Sequence, residues 1–418
     1  MRILAYILSI LLIFTIPWED AVSIVGVSSV TRYIGIVTSA VWLVSALFRG
    51  KVRRPHIFHL FVLLFILWNV TSLFWTLAVD ESIQQINTWV QLFIFIYIIW
   101  DLYVTLKAVN KALQVYVLGC YVLIFTTVIN FALGHEIGLY SEGRFAGVGN
   151  AVELALILTL GLPIAWHLAT SLDTQNKYKI LRLLNFAYIP AALFATLLTG
   201  TRMALFAVIP AFVYILGTSN RLKPILRLSS LVFFVGAMFW LEPLTPRSII
   251  ERLGTTGTSI ITGDFGGRVN LWLQSLSFFY NHPLFGIGSG ALTSNSVMGA
   301  MAHNTFLSVL TEVGLIGFIL FMCILVVTLQ QAIKQEKAYA LLWTTILAIW
   351  TIGVFTLTWE YRKATWLILI LVVVGANLNN RHIGQGTIPN SQHSLKYYPD
   401  STSINQKAHK ILPFSLKT

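Results

Sequence analysis

The residues best suited to do chemistry fall in one interval, Asp264 to Gly317, the one long polar stretch of a mostly apolar chain. It opens with Asp264-Phe265-Gly266-Gly267-Arg268 and continues through Asn281-His282-Pro283-Leu284-Phe285-Gly286-Ile287-Gly288. It reaches His303-Asn304 and then Gly314 and Gly317. A histidine titrates near neutral pH, so His303 is suited to take a proton from a hydroxyl as that hydroxyl attacks. The plainer role is a structural cap at the mouth of an apolar helix. No His, Asp or Glu stands at metal-ligand spacing from His303. His282 precedes Pro283 and reads as shaping a turn. Glu312 lies about 180° around a helix from His303. An ionisable group inside the membrane is costly, so Glu312 reads as a polar packing anchor.

A second set of residues is cationic. Arg144 sits in Glu142-Gly143-Arg144-Phe145-Ala146-Gly147, Arg202 in Gly200-Thr201-Arg202-Met203-Ala204-Leu205, and Arg268 after Gly266-Gly267. Arg362 and Lys363 follow Trp359-Glu360-Tyr361. All fall in connections opposite to those carrying most of the basic residues. Arg32, Arg247 and Arg252 share that side but not the glycine-turn context. Guanidinium is a permanently charged fork that matches phosphate oxygens two at a time. Several converging at one membrane face would hold a lipid-linked phosphate or diphosphate. The competing reading pairs each with a nearby carboxylate (Glu142, Asp264 or Glu360) or lets it snorkel to headgroups. The expectation is that at least two of Arg144, Arg202, Arg268 and Arg362 meet in one cavity.

The elements that must position these groups are membrane helices. Of 418 residues, 56% are hydrophobic and 11% charged, against about 25% charged in soluble domains. The mean hydropathy is +0.77. Apolar runs recur near 3–16, 33–48, 57–78, 87–106, 112–133, 151–171, 182–199, 202–218, 226–242, 304–331, 338–357 and 364–378. The fold class is therefore an all-α polytopic membrane protein with about 12 transmembrane helices. The short alternating segments of a β-barrel are not seen. Every second connection is basic: Arg49 to Arg54, Lys107 and Lys111, Lys177 to Arg182, Arg221 to Arg227, Lys334 and Lys337, and the tail. The positive-inside rule makes these cytoplasmic, with both termini inside, and leaves the opposite connections external. It also accounts for the net charge of +12 without nucleic acid. A cleaved signal peptide is the alternative for the first run, although no small-x-small site follows it. Residues 1–378 form the membrane domain, including one large external loop at 243–303 between helices 9 and 10. Residues 379–418 read as a polar cytoplasmic tail without fixed structure. Cys120 and Cys323 fall inside apolar runs and indicate neither a disulfide framework nor a metal site.

Helix geometry adds detail around the histidine. Gly314 would return to within about 20° of the His303 face, and Gly317 to within about 40°. The tenth helix then carries a histidine at its rim and a smooth glycine stripe below, fit for close approach of a helix or a lipid tail. Asn304 is placed to cap the helix and to donate to a ligand.

These residues resemble a known family. His303-Asn304, nine residues, Gly314, two residues, Gly317 resembles the signature of the O-antigen ligase and O-antigen polymerase superfamily. The run from Arg268 through Trp272 to Gly288 is similar to the segment preceding that histidine. Thr201-Arg202-Met203-Ala204-Leu205 resembles the family's outer-face arginine motif, although the leucine spacing varies. The 144–150 and 360–366 segments are compatible but less specific. The resemblance implies a membrane glycosyltransferase of GT-C type that needs no metal or other cofactor. It takes a glycan from undecaprenyl diphosphate at the periplasmic face of the bacterial inner membrane. A ligase gives the glycan to lipid A-core; a polymerase gives it to another lipid-linked repeat.

On that reading Arg202 and Arg268 hold the diphosphate, with Arg144, Arg362 or Lys363 assisting, and His303 is the base or orients the acceptor. Asn304, Gly314 and Gly317 line the substrate, and Asp264 and Glu360 are the competing bases. A ligase is favoured over a polymerase on the modest length and single large external loop. A lipid-linked oligosaccharide transporter, or a non-catalytic scaffold of an export complex, remains the alternative. A transporter would place cations along a central path, where few are found.

Overall fold

The described apolar runs become helices because only a helix satisfies all of a segment's backbone hydrogen bonds within lipid. A computed structural model describes residues 1–21, 29–136, 143–147, 149–171, 178–221, 224–225, 227, 245–261, 268–297 and 299–386. The chain divides into two compact units, Met1–Asn380 and Arg381–Thr418. Of the second, only the backbone of 381–386 is described, as helix. The proposed tail, the ninth apolar run at 226–242, Asp264, Glu142 and Gly266-Gly267 lie outside the described residues.

The first eight helices are α1 (Arg2–Thr15), α2 (Val30–Arg49), α3 (Ile57–Thr71), α4 (Val79–Leu102), α5 (Leu106–Ala132), α6 (Ala151–Ser171), α7 (Lys179–Leu198) and α8 (Arg202–Gly217). Four shorter ones follow: α9 (Arg247–Gly254), α10 (Thr256–Ile261), α11 (Arg268–Asn281) and α12 (Leu292–Asn295). The last are α13 (Thr305–Ile333), α14 (Lys337–Val354) and α15 (Lys363–Gly386). Among the described residues no strand forms. Eight helices are long and apolar enough to cross a membrane: α2 to α7, α13 and α14. Three shorter apolar helices, Arg2–Trp18, Arg202–Gly217 and Lys363–Asn379, fall on further expected runs. Several boundaries move: α4 begins at Val79, so Asp80 and Glu81 open the helix instead of lying in the loop before it, and α5 begins at Leu106, which takes Lys107 and Lys111 out of the expected connection and into its first turns. Acidic side chains at the start of α4 complement the helix dipole.

The bundle is organised around α6 and α15, which are buried along most of their length. Trp366, Leu367, Ile370, Val373 and Val374 of α15 are buried, as are Leu156, Leu158 and Leu160 of α6. The outer helices instead turn large apolar residues outward, including Leu47 and Phe48 of α2, Leu183 of α7 and Val213 of α8. Lipid is the solvent that suits such a surface.

One end of the bundle is pinned by Asp101 at the C-terminus of α4. Its carboxylate accepts from Arg49 Nη2 at 2.9 Å, Trp42 Nε1 at 3.1 Å and the Arg53 amide at 3.0 Å. Arg53 also donates to Asn377 of α15 at 2.6 Å. The start of α1 joins them, because Arg2 donates to the Asp101 carbonyl at 3.1 Å. The ends of α1, α2 and α4 therefore meet α15 there, with Arg49 and Arg53 of the expected basic connection among them.

The opposite end departs from the expected smooth glycine stripe. Helix α13 breaks at Gly314, whose φ of 66° and ψ of −170° are not helical. A strap formed by Pro283–Gly290 lies against the break and takes up the backbone groups it frees. Ile287 donates to Thr311 O at 3.0 Å and Gly288 to Glu312 O at 2.8 Å. In return Leu315 donates to Pro283 O at 2.9 Å. A Cβ on Gly314 would collide with the Leu284 backbone, and one on Gly286 with the Glu312 backbone. The two glycines permit the close approach because neither carries a side chain. Gly317 meets Val313 and Trp68. Trp68 also donates its indole N–H to Val313 O at 2.9 Å and stacks on Phe285 of the strap. The face arithmetic that joined His303 to Gly314 and Gly317 assumed an unbroken helix, and the break removes that assumption.

Candidate active site

The cationic cluster is assembled by the turn Thr199-Gly200-Thr201 between α7 and α8. Gly200 takes a φ of 56°, a conformation that favours glycine. Arg144 donates Nε to Thr199 O at 2.7 Å, and Arg252 donates Nε to Gly200 O at 3.2 Å. Arg202 reaches the same place from α8, donating to Arg252 O at 3.2 Å and to Thr255 Oγ1 at 3.0 Å. The apolar contact of Phe145, Leu198 and Ile249 docks α9 beside the turn. Arg144 and Arg252 are thus fixed through Nε, and those bonds leave the outer nitrogens of each fork unspent.

Arg268 belongs to the same group by electrostatics. Burial, then Arg252 and Arg268, hold Arg144 down to about 10. Burial and Arg252 lower Arg268, and burial and Arg202 lower Arg252. Among the described residues no carboxylate forms an ion pair with any of the four. Their mutual repulsion is the kind of field that a bound anion relieves.

His303 stands beside this cluster. Arg268 and Trp272 are four residues apart on α11 and so share a face. Trp272 Nε1 donates to Ala302 O at 3.1 Å, which anchors the backbone just before the histidine. His303 adopts a φ of 49°, unusual for a residue with a side chain. It is half-buried, and burial together with Arg268 lowers its pKa. A neutral imidazole is the form that accepts a proton. Asn304 caps α13, its Oδ1 accepting from the Leu307 amide at 3.1 Å. The first turn of α13 carries the 357–360 segment: Thr305 donates to Leu357 O at 2.9 Å, and Ser308 to Glu360 Oε1 at 2.7 Å.

The remaining expected residues go elsewhere. Arg362 does not join the cluster. It donates to Asp20 at 3.1 Å and Glu153 at 2.8 Å. Burial works against its charge, but Glu153 and Asp20 outweigh that and hold its pKa above the ordinary value. Lys363 is salt-bridged to Glu19. Neither uses Glu360, the partner proposed from sequence proximity. Glu360 is buried, and burial pushes its carboxyl up to about 7 against the hydrogen bond from Ser308. Gly314 and Gly317 sit in the helix break and its packing. The structure therefore brings together Arg144, Arg202, Arg268 and His303 and sets Arg362 and Lys363 apart. Arg252, Glu19, Asp20 and Glu153 were not singled out in the sequence. For Arg252 the signal was its place on the arginine-bearing side; for the acids no local signal exists. Among the described residues no three potential metal ligands cluster.

An all-helical, multi-pass membrane protein with an arginine–histidine cluster at one end defines the class. Residues 187–322, about a third of the chain, match the family model described as Wzy_C, O-antigen ligase, and the match supports membership of the O-antigen ligase superfamily. The matched segment contains Arg202, Arg252, Arg268, His303, Gly314 and Gly317; it leaves out Arg144, Glu360, Arg362 and Lys363. A comparison with curated proteins found no match.

Proposed function

We propose that this protein is an O-antigen ligase-like glycosyltransferase of GT-C type. It moves a glycan from undecaprenyl diphosphate to a sugar hydroxyl of lipid A-core at the periplasmic face of the bacterial inner membrane, with both termini in the cytoplasm. The observation that carries this reading is the gathering of Arg144, Arg202 and Arg252 about one turn, with Arg268 within electrostatic reach of Arg144, Arg252 and His303 and no described carboxylate partner for any of the four. Four cations match a diphosphate, and a neutral histidine matches a hydroxyl that must lose its proton.

The acceptor oxygen attacks the anomeric carbon as the bond from that carbon to the diphosphate oxygen breaks. His303 takes the hydroxyl proton. The lipid diphosphate leaves with the bonding electron pair, and the arginines stabilise the charge that grows on it. A single displacement of this kind inverts the anomeric centre. In this scheme the arginines fill the role a divalent metal has in other diphosphate chemistry.

The test is transfer from purified lipid-linked donor to lipid A-core by the detergent-solubilised protein. Wild type should transfer, while His303→Ala and Arg268→Ala should fold and insert normally without transferring. Full activity in both variants overturns the assignment. Glycan chains growing on the donor lipid in place of transfer to core would make the enzyme a polymerase.

A further inference from the structure

A polar cavity of about 50 Å³, lined by none of the cluster arginines, opens among α4, α12, α13 and the 358–361 segment. Its polar wall is Gln85, Thr293, Ser308, Glu312, Thr358 and Tyr361. A water needs roughly 10–15 Å³ of such space, so the cavity has room for more than one polar group of a ligand.

Two features point to a ligand. The Thr358 hydroxyl is buried without a hydrogen-bond partner among the described residues, and its residue is only 6% exposed. An orphaned buried hydroxyl costs about 1–3 kcal/mol unless something satisfies it. The second is the fixed state of the other walls. Glu312 Oε2 is held by the Gly290 amide at 2.8 Å, so the strap that closes the helix break also orients this carboxyl. The Ser308 proton is spent on Glu360, which leaves the Ser308 oxygen able only to accept. The cavity thus offers donors and acceptors on rigid elements, with the apolar faces of Leu292 and Met301 between them. A polyhydroxylated ring needs both kinds of group, because each hydroxyl donates once and accepts as well. A phosphate would find only the Gln85 amide, hydroxyls and a carboxyl here.

The wall is continuous with the catalytic end. Met301 lines the cavity two residues before His303, and Tyr361 clasps it, its hydroxyl lying 2.8 Å from Met301 Sδ.

We infer that this cavity binds the acceptor carbohydrate: Thr358, Ser308, Glu312 and Gln85 hold hydroxyls of the sugar ring, and the attacking hydroxyl is presented towards His303. The inference rests on the glycosyl-transfer reading and divides that site into two parts: arginines for the donor diphosphate, and a neutral polar pocket for the acceptor.

The test uses the full-length protein in detergent and core oligosaccharide released from lipid A. Thr358→Val removes the orphaned hydroxyl at constant shape, and Gln85→Leu removes the amide. Saturation-transfer NMR, without donor, should detect oligosaccharide binding by wild type and by His303→Ala, and lose it in Thr358→Val and Gln85→Leu. In the transfer assay the same two variants should raise the acceptor KM about tenfold and leave the donor KM unchanged. Thermal melts in detergent exclude unfolding, and Thr358→Ser, which keeps the hydroxyl, should rescue binding. Unchanged oligosaccharide binding and acceptor KM in Thr358→Val and Gln85→Leu overturn the pocket while leaving glycosyl transfer intact. Binding that depends on Thr358 in a protein that transfers nothing keeps the pocket and overturns the transferase. Loss of both binding and transfer in wild type overturns both.

Discussion

Two cationic regions at the same end of the bundle meet different fates. Arg362 and Lys363 each find a carboxylate, from Glu153 and Asp20 or from Glu19, on segments distant in sequence. Arg144, Arg202 and Arg252 find backbone carbonyls and a threonine, and Arg268 meets the charge of Arg252. Both sets are cationic and the charge pattern assigns both to one side, so neither property distinguishes them. What differs is whether tertiary neighbours cancel the charge. A cancelled cation ties helices together; an uncancelled one in a half-buried place raises its neighbours' electrostatic cost until an anion arrives.

The largest effect should come from the uncancelled set. Arg268→Ala is expected to lower glycan transfer about 10²–10³-fold with little change in melting temperature. A rate within threefold of wild type would erase the difference between the regions. Arg362→Ala should show the opposite signature. Removing it leaves the largely buried Glu153 unpaired, and the cost should be about 2 kcal/mol of stability. That is a discount on a fully buried pair, because Arg362 is 30% exposed. Thermal denaturation in detergent reads it, and the protein that survives should transfer normally. Arg252→Gln should cost about tenfold in transfer, or ~1.4 kcal/mol, because Arg252 is the most exposed of its group. Wild-type transfer would confine the site to the other three arginines.

The smallest effect is a shift in pH dependence. His303 has its pKa below the ordinary value of 6.5, from burial and from Arg268. The imidazole therefore stays neutral as pH falls through that value, and the base is lost only in more acid solution. Removing Arg268 removes one of the two causes, so the acid limb of the residual rate in Arg268→Gln should move up towards 6.5. A stationary limb would mean that Arg268 and His303 do not sense each other.

Much of this was legible in the chain before any coordinates. Apolar runs place the helices because lipid leaves a backbone no alternative to internal hydrogen bonds. Charge alternation picks out Arg144, Arg202 and Arg268 as cations on the less usual side, and the His303-Asn304 pair marks a helix start, which Asn304 caps. These are local properties, carried by residue type and spacing.

Partnership is not local, and only the folded chain decided it. Arg362 pairs with a residue 342 positions away, and no periodicity could announce that. The break at Gly314 was hidden because it depends on a strap from another part of the chain lying close enough to take up its hydrogen bonds. Arg252 joined the site because Ile249 docks its helix on the α7–α8 turn. Sequence by itself determines which segments are apolar enough to enter lipid, since transfer from water to lipid acts residue by residue. Which charged groups are neutralised is a matter of distance in space, and distance belongs to the tertiary structure.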